Sequence, residues 1–338
     1  MTTSAPKTAS LAVNLHQLGL VFESAEAGLR SRFEQIYGHL PPAIDLPEQV
    51  NIHWQFVDAE TAPLPAGDLP VLAGGELVSY YGQPHLVTIR MPKYALLTVD
   101  LKSGTISGKV TTRILTVYGA FEDVLLIALA PIYRRRAWFP LHAFAGLAPS
   151  GRAALISGPM GSGKTTTGLS LLNVGWKLLS NDSPLLTLRG DQVQVLSYPG
   201  RLSAFDNSLA RFDNLKKFIP ANIELASGQN DQPKRIFGAE EVYADPWTDS
   251  AVAGGIFFPQ VVSGLAASEL VEVTPTQALL QLIPQAIEGW DKAAIAQNLA
   301  LLRKLVEQVP CYQLRLSPQV NALPDLLAQG LAKAGVEV

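Results

Sequence analysis

The sequence predicts a mixed α/β protein built around a phosphate-binding loop. Residues 158–165 fit the pattern G-x-x-x-x-G-K-[ST] without a mismatch. An apolar run suited to a buried strand precedes this match, and a run with helical periodicity follows it. The first third of the chain instead holds short apolar runs separated by Gly, Pro, Asp and Ser. We therefore expect a P-loop domain, with a mixed sheet and flanking helices, preceded by a smaller strand-rich α+β domain.

The N-terminal domain is expected to span residues 1–135. A strand is predicted over residues 11–20, followed by an amphipathic helix over residues 23–37. A helix over residues 121–133 ends in three arginines, 134–136, which either complement the helix dipole on a wet surface or bind an anion. Between these helices the pattern predicts strands over residues 50–57, 77–81, 86–91, 94–101 and 108–112.

The second domain, residues 136–338, is expected to carry the loop. A turn at residues 149–151 joins a hairpin whose second strand leads into the loop, and residues 189–191 form the turn of another hairpin. The sheet is therefore expected to be partly antiparallel. The other predicted elements are strands over residues 176–180, 255–262 and 311–316 and helices over residues 165–173, 207–219, 276–286, 293–308 and 324–334.

Composition narrows the classes of partner. The 338 residues are 48% hydrophobic, with 26 Lys and Arg against 29 Asp and Glu, for a formal net charge of −3. No overall field attracts such a chain to nucleic acid or to an anionic membrane, and no apolar run approaches the roughly 20 residues that span a bilayer. Cys311 is the only cysteine, and the N-terminus lacks an apolar signal core. We expect a cytoplasmic protein without disulfides.

The loop residues supply what a nucleoside triphosphate such as ATP needs. Glycines accept the backbone angles that turn several N–H groups toward one phosphate, and the following helix adds the partial positive charge of its N-terminus. Lys164 is expected to reach the outer phosphates, and the Thr165 hydroxyl to hold the Mg²⁺ that bridges them. The alternative is a Gly-rich turn that binds nothing. The expected nucleotide-binding residues are Gly158, Pro159, Met160, Gly161, Ser162, Gly163, Lys164, Thr165 and Thr166.

Asp182 is the candidate partner of the loop. It follows the strand predicted over residues 176–180 and lies 18 positions after Lys164, about one helix and one strand away. A carboxylate at this place would join Thr165 as a ligand of Mg²⁺, because Mg²⁺ takes oxygen ligands. The alternative is that Asp182 only caps the turn at Ser183 and Pro184.

The run over residues 141–186 resembles HPr kinase/phosphorylase and its kinase-like relatives, whose core is related to phosphoenolpyruvate carboxykinases. Three segments carry the resemblance: Leu141-His142-Ala143, residues 156–166 with the loop, and residues 175–182, which read Gly-Trp-Lys-Leu-Leu-Ser-Asn-Asp. A His about 20 residues before the loop lysine, combined with the family's acidic pair about 17 residues after it, here Asn181 and Asp182, is more specific than the loop alone. The resemblance covers roughly residues 141–197 and is faint in the outer thirds.

The resemblance implies an ATP- and Mg²⁺-dependent kinase that acts on a serine hydroxyl. Asp182 matches the second acid of the family's Asp-Asp pair, which serves as base and metal ligand, and Asn181 stands at the first position. An amide neither takes a proton nor offers Mg²⁺ a full charge. Either Asp182 serves as both base and metal ligand, or Asn181 only orients the acceptor, or the protein binds ATP without phosphorylating anything. His142 matches the family's His near the phosphates, whereas a lone His at a strand start is otherwise a structural residue.

Arg235 completes the candidate set. Bifunctional family members use a Glu beside an Arg-Gly in the reverse reaction, and that element is not found here, so no phosphorylase activity is expected. Lys234 and Arg235 are the nearest basic pair. Arg235 would cover the transferring phosphoryl group as its charge spreads, unless the pair is only exposed and solvated.

The expected function is transfer of the γ-phosphoryl group of ATP to a hydroxyl of a protein, peptide or small molecule. The expected catalytic residues are Asp182, His142, Lys164, Asn181 and Arg235. Two alternatives stay open: a nucleotide-binding scaffold or regulator without transfer activity, motivated by Asn181, and a carboxykinase-like enzyme, which the short chain disfavours. The N-terminal domain is a candidate for acceptor recognition. Family members often assemble as hexamers, which leaves a homo-oligomer open.

Overall fold

The chain divides into two compact units. The computed structural model describes residues 10–83, 85–219, 234–286 and 288–333 and the backbone of residues 225–226, so that residues 1–9, where no signal core was expected, lie outside it. The first unit comprises the described residues up to Arg136 together with Gly289–Lys292, and the second comprises the rest from Ala137 onward. Strands and helices occur in both units, so the mixed α/β class predicted from the sequence is confirmed.

The first unit is built on a mixed sheet. Its strands are β1 (Ser10–Leu15), β2 (Leu18–Glu23), β3 (Gln49–Phe56), β4 (Val71–Ala73), β5 (Ser79–Gln83), β6 (Leu86–Met91), β7 (Ala95–Asp100) and β8 (Thr105–Val110). Its helices are α1 (Ala27–Tyr37), α2 (Arg113–Thr116) and α3 (Ala120–Arg135). The strand order is β1-β2-β3-β8-β7-β6-β5-β4. The pairs β2–β3 and β3–β8 are parallel, and the other pairs are antiparallel. The helix α1 forms the crossover between β2 and β3.

Residues 11–20 form parts of a hairpin rather than the single strand that the sequence predicts. His16 and Gln17, between β1 and β2, have positive φ angles of 52° and 70°. The Oδ1 atom of Asn14 accepts a hydrogen bond of 2.8 Å from the Gln17 N–H. Two successive residues with positive φ make a tight turn whose twist suits antiparallel strands. The apolar alternation continues on both sides of this turn, which is why the pattern did not reveal it.

Aromatic side chains fill the core of the first unit. Phe22 of β2 stacks on Phe33 of α1 with ring centroids 4.8 Å apart, and it meets the edge of Trp54 of β3 at 5.5 Å. Phe121 of α3 packs against the same indole at 5.4 Å. All four side chains are fully buried, and burying such a side chain stabilises a fold by about 1.5–3 kcal/mol. These contacts hold α1 and α3 against the sheet.

Each of the three arginines that end α3 has a partner within the first unit. Arg135 donates two hydrogen bonds to the carboxylate of Asp291, at 2.7 and 3.2 Å. Arg136 pairs with Glu48, and the Arg134 guanidinium lies 5.4 Å from the centre of the Trp290 ring. The arginine run is therefore engaged by the protein's own carboxylates and indole.

The second unit is built on a larger mixed sheet and a small one. Its strands are β9 (Phe139–Pro140), β10 (Ala143–Leu147), β11 (Arg152–Ser157), β12 (Lys177–Ser180), β13 (Leu185–Arg189), β14 (Gln192–Leu196), β15 (Leu202–Phe205), β16 (Leu225–Ala226), β17 (Lys234–Phe237), β18 (Ser250–Val261), β19 (Glu269–Glu272) and β20 (Cys311–Leu316). Its α-helices are α4 (Lys164–Leu172), α5 (Asp206–Leu209), α6 (Pro275–Ala286), α7 (Lys292–Gln308) and α8 (Leu323–Ala332), with short 3-10 helices at Lys216–Phe218 and Ala239–Glu241.

The larger sheet has the order β12-β10-β11-β18-β14-β13-β9, and β20 pairs with both β18 and β19. The strands β11, β18 and β20 are parallel neighbours, whereas β10 is antiparallel to both β11 and β12. Because β10 lies between them, β11 and β12 run in the same direction and end at the same edge of the sheet. Apolar side chains on both faces of β11 are buried, as expected for a central strand covered on two sides.

The helix predicted over residues 207–219 is wrong. Only α5 and the turn Lys216–Phe218 are helical there. The backbone instead makes successive i→i+3 hydrogen bonds, from Phe212 to Leu209, from Leu215 to Phe212 and from Phe218 to Leu215. All four side chains are buried. Turns that repeat every three residues place these side chains on one side, and that spacing resembles the period of an α-helix.

Candidate functional site

The segment that matches the phosphate-loop pattern connects β11 to α4. Gly161 and Gly163 have φ angles of +79° and +109°, which L side chains rarely adopt. A Cβ atom at Gly163 would also lie 2.4 Å from Cδ1 of Leu316 at the end of β20. The backbone angle therefore favours glycine at this position, and any larger residue would also displace the Leu316 side chain. The loop turns sharply here into the first residue of α4, Lys164.

Lys164 folds back over its own loop. Its ammonium group donates hydrogen bonds to the carbonyl oxygens of Gly158, at 2.6 Å, and Pro159, at 3.1 Å. Burial lowers the pKa of Lys164, the negative charge of Asp182 opposes that shift, and the positive charge of Lys234 adds to it. The loop lysine thus shares one electrostatic neighbourhood with a carboxylate from β12 and with a second cation.

His142 and Asp182 form a polar pair next to the start of the loop. The Nδ1 atom of His142 lies 3.3 Å from Oδ1 of Asp182. The Ala143 N–H donates to the Asp182 carbonyl at 2.9 Å, which extends the pairing of β10 and β12 by one step. The backbone of His142 is held on both sides, since its N–H donates to the Gln285 carbonyl at 2.8 Å and its carbonyl accepts from the Ser157 hydroxyl at 3.0 Å.

The side chains of His142 and Asp182 are accessible to solvent. The side chains of His142 and Asp182 are 40% and 54% exposed. Ion pairs with this much access to water contribute little to stability. The contact therefore adds little to the stability of the fold, and the Asp182 carboxylate is accessible to a ligand from solvent.

Asn181 is fixed by a different partner. Its Nδ2 group donates a hydrogen bond of 3.1 Å to the backbone carbonyl of Arg201, which precedes β15. Its Oδ1 atom is buried and has no hydrogen-bond partner among the described residues. The side chain therefore acts as a donor that joins the end of β12 to β15, a role that a carboxylate at this position could not fill.

Arg235, in the small sheet, forms hydrogen bonds with an acidic side chain. It lies on β17, opposite Ala204 of β15. Its guanidinium donates to both carboxylate oxygens of Asp206, at 2.8 and 3.0 Å. This hydrogen bond raises the pKa of Arg235 and lowers that of Asp206. Arg235 is thus committed to Asp206, whereas its neighbour Lys234 is the basic residue that acts on Lys164.

The small sheet is tied to the first turn of α4. The hydroxyl of Thr166 lies 3.0 Å from the hydroxyl of Ser208 in α5, and α5 follows β15 directly. Thr165, the residue beside it, is partly exposed. Lys234 and Arg235 are adjacent in sequence and both carry a positive charge, so the sequence did not show which of them pairs with Asp206.

The described residues contain no group of three or more His, Cys, Asp and Glu side chains able to hold a metal ion. That observation is compatible with Mg²⁺, which binds proteins through one or two side chains and takes its other oxygens from water and phosphates. The exposed carboxylate of Asp182 and the hydroxyl of Thr165 are oxygen donors of the required kind.

A separate cavity of about 460 Å³ lies at the other end of β11. It is bounded by the turn between β10 and β11, by the residues that precede β12, and by one side of α8. Because β11 runs from Arg152 to Ser157, this cavity opens at the end of the strand opposite to the loop. None of the residues that the sequence predicts as functional lines it.

Comparisons with known proteins give similarity to solved structures alone. No protein-family model matches the chain, and no curated protein matches it. Among solved structures, the chain is similar to the HPr(Ser) kinase/phosphatase from Coxiella burnetii, with 11% sequence identity and a TM-score of 0.33 over 58% of this chain and 99% of that one. A likeness of this extent carries no argument about activity. Within the described part of the chain, no helix has the length and apolar character needed to cross a bilayer.

Proposed function

We propose that this chain is an HPr-kinase-like enzyme that binds ATP with Mg²⁺ and transfers the γ-phosphoryl group to a hydroxyl, with serine as the leading acceptor. One observation carries the proposal. The Asp182 carboxylate, oriented by His142 at 3.3 Å, acts electrostatically on Lys164 of the phosphate-loop motif. A cation for phosphates and an acid for the metal and the proton therefore share the edge of the sheet where β11 and β12 end.

The roles follow from the chemistry of each side chain. Lys164 and the loop amides, from Gly158 to Thr166, bind the phosphates, and Lys164 exchanges its contacts to the loop carbonyls for contacts to phosphate oxygens. Thr165 and Asp182 hold Mg²⁺, which when bound neutralises charge on the phosphates. His142 keeps the carboxylate of Asp182 directed at the site.

Proton transfer is assigned to Asp182. The hydroxyl proton of the acceptor passes to the Asp182 carboxylate as the acceptor oxygen forms its bond to the γ-phosphorus. The bond between that phosphorus and the bridging oxygen breaks, and ADP leaves with the electron pair. Asn181 cannot take this proton, since its amide is neutral and its donor group is bonded to Arg201.

A second candidate function is a nucleotide-binding regulator without transfer activity. The contact between Asn181 and the Arg201 carbonyl favours it, because the position of the first family acid is occupied by an amide with a structural role. In both candidates, the domain of residues 1–135 is proposed to recognise the acceptor or partner, and the protein is proposed to be cytoplasmic.

Calorimetric titration with MgATP tests the nucleotide site. We expect the native protein to bind, and Lys164→Met to weaken binding by at least about 10-fold, because a charge-assisted hydrogen bond contributes about 1.5–3 kcal/mol. Lys217→Met, at an exposed lysine outside the proposed site, serves as the matched control. Folded protein that shows no affinity for ATP would exclude both candidate functions.

Single-turnover labelling with γ-labelled ATP then separates the two candidates. A kinase transfers label to a hydroxyl-bearing peptide or small molecule, and Asp182→Asn removes this transfer. A regulator binds ATP and transfers nothing to any acceptor offered. The assay should include peptides with serine, with threonine and with neither, since the serine preference rests on the sequence resemblance alone.

A further inference from the structure

The position of Lys234 suggests a role that the sequence assigned to its neighbour. Lys234 opens β17 and lies opposite Phe205, the last residue of β15. Its ammonium group is 5.1 Å from the centre of the Phe205 ring. This cation–π contact directs the long side chain along Phe205, toward the point where the chain enters α5.

That point lies beside the phosphate loop. Ser208 of α5 is hydrogen-bonded to Thr166 at 3.0 Å, and Thr166 belongs to the first turn of α4, two residues after Lys164. The end of β15 and the start of α4 are therefore neighbours. Lys234, which pairs with the end of β15, therefore lies near the N-terminus of α4, where an anion would be stabilised.

Of the two basic residues on β17, Arg235 is the one with an acidic partner among the described residues. Asp206 takes both hydrogen bonds from Arg235, while no carboxylate in the described part of the chain forms an ion pair with Lys234. The negative charge of Asp182 favours the charged form of Lys164, whereas the ammonium groups of Lys234 and Lys164 repel each other. An anion with several negative charges would relieve their mutual repulsion.

We propose that Lys234 is a second phosphate-binding cation, which contacts the terminal phosphate of a bound nucleoside triphosphate from the side of the small sheet. The inference rests on the proposed nucleotide site and adds a selectivity to it: the site favours triphosphate over diphosphate. Arg235 has a supporting role, because its two-point contact with Asp206 holds the start of β17 in place.

The test compares the affinities of MgATP and MgADP in the full-length protein by calorimetry. Lys234→Met should weaken ATP binding by about 10- to 100-fold, the factor that corresponds to one charge-assisted hydrogen bond. ADP binding should change much less, since ADP lacks the phosphate concerned. Lys234→Arg keeps the charge and should retain most of the ATP affinity.

Lys217→Met is a closely matched control. The Lys217 ammonium group also lies 5.1 Å from the centre of a phenylalanine ring, that of Phe218, so the same chemical change removes the same kind of cation–π contact. It should leave both affinities unchanged. Melting temperatures of all variants identify any that have lost the fold, and Lys234→Arg keeps the inference testable if Lys234→Met is unstable.

The outcomes separate this inference from the function on which it rests. If the native protein binds neither nucleotide, the proposed function fails. If the native protein binds ATP and Lys234→Met binds it equally well, the role of Lys234 is refuted and the nucleotide site stands. An equal loss of ATP and ADP affinity would also refute it, because Lys234 would then not distinguish the terminal phosphate.

Discussion

Asn181→Asp is the most informative single substitution, because it places an acid at a position where the structure uses an amide as a hydrogen-bond donor. The side chains have nearly the same shape, but the Nδ2–H donor that lies 3.1 Å from the Arg201 carbonyl is replaced by a carboxylate oxygen. The hydrogen bond is lost, and two acceptors face each other. We therefore expect loss of stability rather than a simple gain of activity.

The magnitude follows from the contact that is lost. Leaving a buried acceptor without its donor destabilises a protein by about 1–3 kcal/mol. For a domain of this size each kcal/mol lowers the melting temperature by about 2–4 °C. Asn14→Asp is the matched control, since Asn14 uses its Oδ1 atom to accept from the Gln17 N–H and an aspartate keeps that bond.

The effect of Asn181→Asp should depend on pH. A protonated carboxyl can still donate to the Arg201 carbonyl, whereas the ionised form cannot, so the native structure raises the pKa of the introduced group above its unfolded value of about 3.9. Below the unfolded pKa the variant loses little stability relative to the native sequence. The loss develops as pH rises and is complete above the folded pKa.

Calorimetric melting of both variants and the native protein, at pH 4.5 and at pH 7.5, measures this directly. A variant as stable as the native protein at pH 7.5, or destabilised equally at both pH values, would show that the amide is not held as a donor by Arg201. Gain of phosphoryl transfer by a fully stable Asn181→Asp protein would favour the regulator as the native function.

Three further predictions concern the fold. Gly163→Ala should destabilise the protein more than Gly151→Ala by about 1–3 kcal/mol, because both have positive φ but only Gly163 would bring a Cβ within 2.4 Å of Leu316; equal melting temperatures would contradict the packing argument. Arg135→Met should lower the free energy of unfolding by about 3 kcal/mol, because it leaves the 4%-exposed Asp291 carboxylate without its arginine. In the same calorimetric assay, adding Asp291→Asn should restore part of this stability, and a double variant no more stable than the single one would refute the argument. Burial raises the pKa of Cys311 to about 12, so the native thiol should resist iodoacetamide at pH 8 and react on unfolding; rapid labelling of folded protein, followed by mass spectrometry, would show that it is accessible.

Elements with a strict local pattern could be predicted from the sequence. The strands β6 and β20 have the predicted bounds, because apolar side chains alternate along each and Gly or Pro flanks them. The strand and helix that flank the phosphate-loop motif were also predicted, since β11 is a continuous apolar run and α4 follows a glycine. In each of these cases the determining information lies within about ten residues.

Features that depend on distant contacts could not be predicted. Nothing near Asn181 in the sequence indicates that its amide binds the carbonyl of Arg201, and nothing near Arg235 indicates that Asp206 engages it. The partners lie 20 and 29 positions away in the sequence, at the two ends of β15, whose place follows only from the folded sheet. The same limit applies to the segment Gly289–Lys292, whose contacts are with residues more than 150 positions earlier.

That segment bears on how the protein can be made. Because Trp290 stacks on Tyr80 at 4.6 Å and Asp291 binds Arg135, a polypeptide ending at Arg136 would leave an aromatic face and a guanidinium uncovered. A ribosome must also pass residue 292 before the first unit is complete. Residues 137–288 of the second unit are therefore synthesised before the first unit is complete. This order departs from the usual one, in which domains fold one after another.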